Sequence, residues 1–167
     1  CAAAAAQACG QALLAGSFPH SLRIDTPAGV AVVVEPEEMY RGTDAQGTPW
    51  ASCGVRKDAG DDADATDDAL VVTRVSLTDT PGTTIEGGAG VGRVTRAGLD
   101  QPVGAAAINS APRAMIASEL ERVAREHGWQ GGFAVEVSVP DGEEIARRTF
   151  NPRLGIEGGI SILGTSG

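Results

Sequence analysis

Ser110–His127, SAPRAMIASELERVAREH, is followed by Gly128 and then by Phe133–Val139, FAVEVSV. This succession decides how the rest of the chain is read. Ile116, Leu120, Val123 and Ala124 fall on one face at helical spacing, so the first segment is an amphipathic helix whose stripe belongs to a core. Ser110 can cap it, Pro112 stands in the first turn, and Gly128 follows its end. Phe133, Val135, Val137 and Val139 then alternate with Ala134, Glu136 and Ser138, the period of a half-buried strand. Pro140-Asp141-Gly142 turns the chain, and Glu143 to Phe150 reads as one or two helical turns.

Working outward, Ala2 to Ala15 has the composition of a second helix, alanines with Leu13 and Leu14 closed by Gly16. Ser21 to Asp25 alternates like a strand, Thr26-Pro27-Ala28-Gly29 makes a turn, and Val30 to Val34 returns as the other arm of a hairpin. Glu35 to Pro49 is polar and turn-rich and reads as a loop. Trp50 to Val55, Leu70 to Leu77 and Thr83 to Glu86 read as strands, the second rich in Val and Thr. The tail from Asn151 to Gly167 is glycine-rich with interspersed Ile and Leu. Strands in hairpins and longer excursions, with two strong helices, predict an α+β fold. The expected form is a two-layer sandwich, helices packed on one face of a mixed or antiparallel sheet.

The 167 residues suffice for one domain with a real core, and no repeat or low-complexity linker divides them. Aromatic residues make up 4%, so Val, Ile, Leu and Ala must build that core. A net charge of −9 argues against a general nucleic-acid binder or a membrane-surface protein, and no stretch approaches the ~20 apolar residues of a membrane span. Cys1, Cys9 and Cys53 are odd in number and irregularly spaced, which suits a reducing cytoplasm better than a disulfide framework. No metal site is expected, because His20 and His127 lie far apart and no Cys-x-x-Cys occurs. The start at Cys1 and the ending Gly164-Thr165-Ser166-Gly167 read as those of a piece of a longer protein.

Three features could carry chemistry. The run Lys57-Asp58-Ala59-Gly60-Asp61-Asp62-Ala63-Asp64-Ala65-Thr66 crowds four aspartates into ten residues. Crowded carboxylates must be solvated, neutralised or used. A calcium-hand register starting at Asp62 fails, with Asp67 where Gly belongs and Thr73 where Glu belongs. A solvated loop and a loop shaped around a ligand both stay open. Gly87-Gly88-Ala89-Gly90-Val91-Gly92 follows a strand but spells G-x-G-x-G, and Arg93-Val94-Thr95-Arg96 after it looks extended, so the helix that gives a dinucleotide fingerprint its phosphate site is missing. Arg93, Arg96, Arg113, Arg147, Arg148 and Arg153 could clamp carboxylates or phosphates of a ligand, or pair with the chain's own acids. Cys1 precedes a helix, but no neighbouring His supports a nucleophile.

Taken together, these segments resemble the CbiD family, the cobalt-precorrin-5B C1-methyltransferases of anaerobic cobalamin biosynthesis. The matching stretches are Cys1-Ala2-Ala3-Ala4-Ala5-Ala6, Val55-Arg56-Lys57-Asp58-Ala59-Gly60-Asp61-Asp62, Gly87 to Gly92, Gly98-Leu99 with Pro102-Val103-Gly104, Ala107-Ile108-Asn109 before Pro112-Arg113, and Thr149-Phe150-Asn151-Pro152-Arg153-Leu154-Gly155-Ile156 leading into Gly158 to Thr165. Ala63 and Ser110 stand where the family favours Pro.

The resemblance implies that residues 1–167 are a single α+β domain, the N-terminal part of a longer two-domain enzyme with an α/β second half. It implies methyl transfer from S-adenosylmethionine, as methyl donor, to C1 of cobalt-precorrin-5B, giving cobalt-precorrin-6A. The partner is a small corrinoid, and cobalt enters as part of that substrate. On this reading Asp58, Asp61 and Asp62 are the candidate catalytic residues. Lys57, Arg93, Arg96, Arg113, Asn151 and Arg153 are the candidates for substrate binding, and Gly87, Gly88, Gly90 and Gly92 those for the cofactor. The competing reading is a non-catalytic corrinoid- or tetrapyrrole-binding module.

Overall fold

The structure, a computed structural model, describes residues 1–61, 64–149 and 151–164. Its elements are α1 (Ala2–Ala15), β1 (Leu22–Asp25), β2 (Ala31–Val34), β3 (Glu37–Thr43), β4 (Pro49–Arg56), β5 (Leu70–Thr78), β6 (Gly82–Gly87), β7 (Arg93–Val94), α2 (Ser110–His127), β8 (Gly132–Ser138), α3 (Gly142–Ala146), α4 (Asn151–Leu154) and β9 (Ile156–Glu157). Five strands form the main sheet in the order β3-β4-β5-β8-β6. Neighbours are antiparallel except for β6 and β8, which run parallel. A parallel pair cannot be joined by a tight turn, and α2 lies on the crossover between these two strands. The hairpin β1–β2 and the short pair β7–β9 stand apart from the main sheet.

Ala51, Cys53 and Val55 of β4, Val71, Thr73 and Val75 of β5, and Phe133, Val135 and Val137 of β8 are buried. The register sets Cys53 opposite Thr73 and Val75 opposite Val135, so these side chains share one face of the sheet. On the other face Arg74 lies 4.2 Å from the centre of the Trp50 ring. Helix α1 packs on β4, β5 and α2, and its small side chains are buried almost all round. Gly10 is the point of closest approach, since a Cβ there would stand 2.9 Å from Leu120 Cδ2. The expected α+β architecture, helices on one face of a mixed sheet, is what is observed.

Two local expectations are corrected. The segment expected to be a loop between Glu35 and Pro49 contains β3, an edge strand that pairs with β4 through an irregularity between Glu37 and Tyr40. Glu38 takes φ 50 there, and most β3 side chains face solvent, so the apolar alternation that marks a strand is missing. Arg41 of β3 closes the end of α1 by donating to the carbonyls of Ala12 and Gly16. Ser110 is not the cap of α2. Asn109 holds that place without a side-chain bond, and Asp100 caps from a distant loop, its Oδ1 accepting the Ser110 N–H at 2.8 Å and the Ser110 hydroxyl at 2.9 Å.

The segment Gly87–Gly92 is a packing junction. Gly90 has φ 76, and a Cβ on it would lie 1.7 Å from the carbonyl oxygen of Val139. Val139 N–H donates to Ala89 O, Ile160 N–H to Gly90 O and Gly92 N–H to Ile160 O, tying the end of β8 and the tail to this turn.

Candidate functional site

A cavity of about 440 Å³ opens where the first turns of α1 and α2 meet the loop between β4 and β5. That volume lies in the range of small-molecule sites. Ile24, Val32 and Val34 of the hairpin, Ala2–Ala4 of α1, Val71 and Met115 give it apolar walls. Lys57, Asp58, Asp64, Thr66, Thr149 and Asn151 supply polar groups, and Ile160–Gly164 complete the lining. The N-cap residue of α1, Cys1, makes no side-chain cap bond, and Cys1–Ala4 border this space.

The β4–β5 loop is shaped largely by its own carboxylates. Lys57 N–H donates to Ala69 O and Asp68 N–H to Lys57 O, closing the loop at its base. Asp58 Oδ1 accepts the Gly60 N–H at 2.8 Å, and Asp67 Oδ1 accepts the Ala59 N–H at 2.9 Å. Asp64 Oδ1 accepts both the N–H and the hydroxyl of Thr66 at 2.8 Å. Lys57 Nζ donates to Asp64 Oδ2 and to Thr66 Oγ1, which pins its ammonium at the cavity wall.

The Lys57 ammonium, with the Thr66 N–H and hydroxyl, holds the Asp64 carboxyl down at about 2, from an ordinary value of 3.8. A carboxyl lowered on folding contributes stability that is complete above its unfolded value and is lost as pH falls through the folded one. The contribution of Asp64 should therefore fade between about pH 4 and pH 2. A carboxyl-carbon NMR titration should give Asp64 a midpoint near 2 in the native chain and a higher one in Lys57→Met, still below the ordinary 3.8 because the Thr66 bonds remain. An unchanged midpoint in the variant would mean that Lys57 does not set it.

Of the residues singled out in the sequence, the cavity gathers Lys57, Asp58 and Asn151. Asp61 is exposed and is not part of the lining, and Asp62 lies outside the described residues. Arg113 is spent inside the fold, donating to the carbonyls of Ile108 at 2.6 Å, Ile85 at 3.2 Å and Ala106 at 3.3 Å. Arg93 similarly reaches Gly104 O and Gly87 O, both at 3.4 Å. Arg96 donates to the carbonyl of Arg153 at 2.9 Å, and Arg153 borders a second hollow described below. Gly87, Gly88, Gly90 and Gly92 do not line the cavity; Gly88 and Gly92 direct their N–H groups to Val137 and Ile160.

Asp64, Thr66 and Thr149 also line the cavity; the sequence marks the first two as members of the acidic run and the third as a hydroxyl in the 149–153 turn, without an individual role for any of them. The signal for the first two was the Asp-x-Thr spacing, which favours a side-chain turn. Cys9 and Cys53 are buried, their sulfurs 3.6 Å apart, and burial pushes the Cys9 thiol well above its ordinary value. Among the described residues no helix is long and apolar enough to cross a membrane.

The fold is a two-layer α+β unit with a mixed polar and apolar cavity between two helix starts and a strand loop. The whole chain, residues 1–167, matches the CbiD family, and the protein belongs to it. It is 47% identical over 167 residues to the cobalt-precorrin-5B C(1)-methyltransferase of Ruminiclostridium cellulolyticum, covering 100% of this chain and 42% of that relative. The protein of the same name from Geobacillus kaustophilus is 48% identical over 168 residues, covering 100% of this chain and 44% of the relative. Among solved structures, the cobalamin biosynthesis protein CbiD of Archaeoglobus fulgidus superposes with a TM-score of 0.67 at 32% identity, covering 99% of this chain and 50% of that one. The chain thus spans less than half the length of the curated relatives it matches.

Proposed function

We propose that this chain supplies a substrate-binding part of a cobalt-precorrin-5B C1-methyltransferase, with S-adenosylmethionine as methyl donor. The observation that carries the reading is the convergence of the family-like segments. The starts of α1 and of the acidic run, together with Thr149, Asn151 and residues 160–164, are far apart in sequence and line one cavity. Its apolar walls suit the edge of a macrocycle, and its polar groups can orient that edge and the incoming methyl group.

The reaction is an in-line displacement. An electron pair at ring carbon C1 forms the new C–C bond, the S–CH3 bond breaks with its electrons returning to sulfur, and the sulfonium becomes a neutral thioether. This needs alignment, exclusion of water and an acceptor for any proton the macrocycle releases, and no protein nucleophile. Lys57, anchored by Asp64, faces a carboxylate arm of the corrinoid. Asp58, on the wall beside it, is the proton acceptor, while Asp61 stands outside.

In the natural full-length protein, Asp58→Asn should slow methyl transfer by about 100-fold or more, the usual share of a general base. Asp61→Asn should leave the rate near that of the parent, with product followed by the mass of the methylated corrinoid. Equal rates in both variants would sink the role of Asp58. A second reading, a corrinoid-binding module without catalysis, draws on the chain's covering less than half of its relatives. It would be favoured if this chain bound corrinoid and S-adenosylmethionine did not bind alongside.

A further inference from the structure

A second hollow, of about 330 Å³, is lined by Arg147, Arg148, Thr149, Pro152 and Arg153. Thr149 also lines the larger cavity, so the two spaces adjoin across one residue. The chain reverses tightly to make the hollow. Arg147 and Arg148 leave the end of α3, the Thr149 hydroxyl donates to Ala146 O at 2.9 Å, and Asn151 N–H donates back to Thr149 Oγ1 at 3.3 Å. Helix α4 then carries Arg153, and Arg96 holds that helix by donating to Arg153 O.

Acids outnumber bases 22 to 13 in this chain, so arginines gathered away from carboxylates call for a cause. Most other guanidinium groups are used within the fold, Arg23 and Arg125 being exposed at the surface. Arg41 closes α1, Arg56 pairs with Glu37 at 2.7 Å, Arg74 lies over Trp50, Arg93 and Arg113 hold backbone carbonyls, and Arg122 bridges Glu119 and Glu126. Around the second hollow, Arg147 has Glu143 at 4.0 Å, with both side chains at least 70% exposed, a pair worth little in water. Among the described residues neither Arg148 nor Arg153 has a carboxylate partner. Three guanidinium groups around one hollow repel one another until an anion enters, and their planar forks match carboxylates in particular.

We propose that Arg147, Arg148 and Arg153 form a carboxylate-binding site that reads the acid side chains of a tetrapyrrole whose reacting edge sits in the adjoining cavity. The inference rests on the functional reading above and adds to it a place where substrates are told apart by their number of carboxylates. A macrocycle entering past Thr149 brings its edge to Lys57 and Asp58 and lays its outer acid arms on the arginines. The acidic remainder of the surface repels a polyanion approaching anywhere else, which focuses it on this point.

The test uses uroporphyrin, with eight carboxylates, and coproporphyrin, with four, as probes of the full chain, read by quenching of porphyrin fluorescence. The parent should bind uroporphyrin at least about 10-fold more tightly than coproporphyrin, and the advantage should shrink with added salt. Arg148→Gln with Arg153→Gln should weaken uroporphyrin about 10-fold or more and bring the two porphyrins close together. Arg23→Gln with Arg125→Gln removes the same charge elsewhere and should leave the preference intact. All four positions are exposed, so circular dichroism should be unchanged. Equal loss in both double variants, no loss in the first, or no binding of either porphyrin by the parent would each overturn the arginine site. Methyl transfer measured on the Asp58 variant stays a separate readout, so failure here is distinguishable from failure of the proposed function.

Discussion

Replacing Gly90 with alanine is expected to destabilise the native state by about 3 kcal/mol, combining a left-handed backbone at a residue that now has a Cβ with overpacking against rigid neighbours. The new methyl would fall 1.7 Å from Val139 O and 3.1 Å from Gly142 Cα, and these are main-chain atoms that no rotamer change can clear. Relief requires the turn to move away from β8, which breaks the Val139–Ala89 and Ile160–Gly90 hydrogen bonds. Ile160 begins the tail that lines the larger cavity, so the damage extends to the site. Gly98 provides the comparison. It has φ 93 with open space around its would-be Cβ, so Gly98→Ala should lose only the conformational part, about 1 kcal/mol. Urea unfolding of both variants measures the difference. Equal losses would mean that the close approach at Gly90 carries no energy.

The second large effect sits between the helices. Leu120 is fully buried, and Leu120→Ala should cost about 2–5 kcal/mol through lost burial and the space left behind. Gly10 faces that side chain across the α1–α2 contact. In the native background Gly10→Ala would push on Leu120 Cδ2 at 2.9 Å, offsetting the roughly 1 kcal/mol that alanine gains over glycine inside a helix. In the Leu120→Ala background the same methyl enters vacated space, and both benefits should appear. The double variant should therefore be more stable than Leu120→Ala alone by about 1 kcal/mol or more, a coupling that a double-mutant cycle in urea would detect. Strict additivity would show that the two positions do not share a packing space.

These positions also show what was legible in the chain. The limits of α2 follow from its apolar stripe, the early Pro112 and the closing Gly128, because all three are local physics. Strand β5 declares itself by its Val and Thr content, and β8 by alternation, since one face is covered by helices and the other is not. Strand β3 is different: an edge strand with a bulge and mostly solvated side chains leaves no periodic mark on EEMYRGT. Its existence depends on β4 offering a free edge, a fact of tertiary structure.

The site divides the same way. Lys57 and Asp58 stood out because charge crowding in a short segment is visible in one dimension. The apolar half of the cavity comes from a hairpin, two helix starts and a tail that meet only after folding. Arg113 and Arg93 illustrate the converse, for nothing local reveals that a guanidinium will be consumed by backbone carbonyls. The four glycines of the 87–92 turn look alike in sequence, whereas at Gly90 the need for glycine comes from Val139 and Gly142.

Helix α1 has a consequence for how the domain is made. It is the first element of these residues to be synthesised, yet its surroundings are β4, β5 and α2, the last of which ends at residue 127. An alanine-rich segment can coil early, but its burial is complete only after more than a hundred further residues have joined the chain. The parallel β6–β8 pair imposes a similar wait across the α2 crossover. Domains dominated by such distant pairings close slowly, because loop entropy is spent before contacts return it. The interval before α2 arrives is when α1 most needs shielding from other chains.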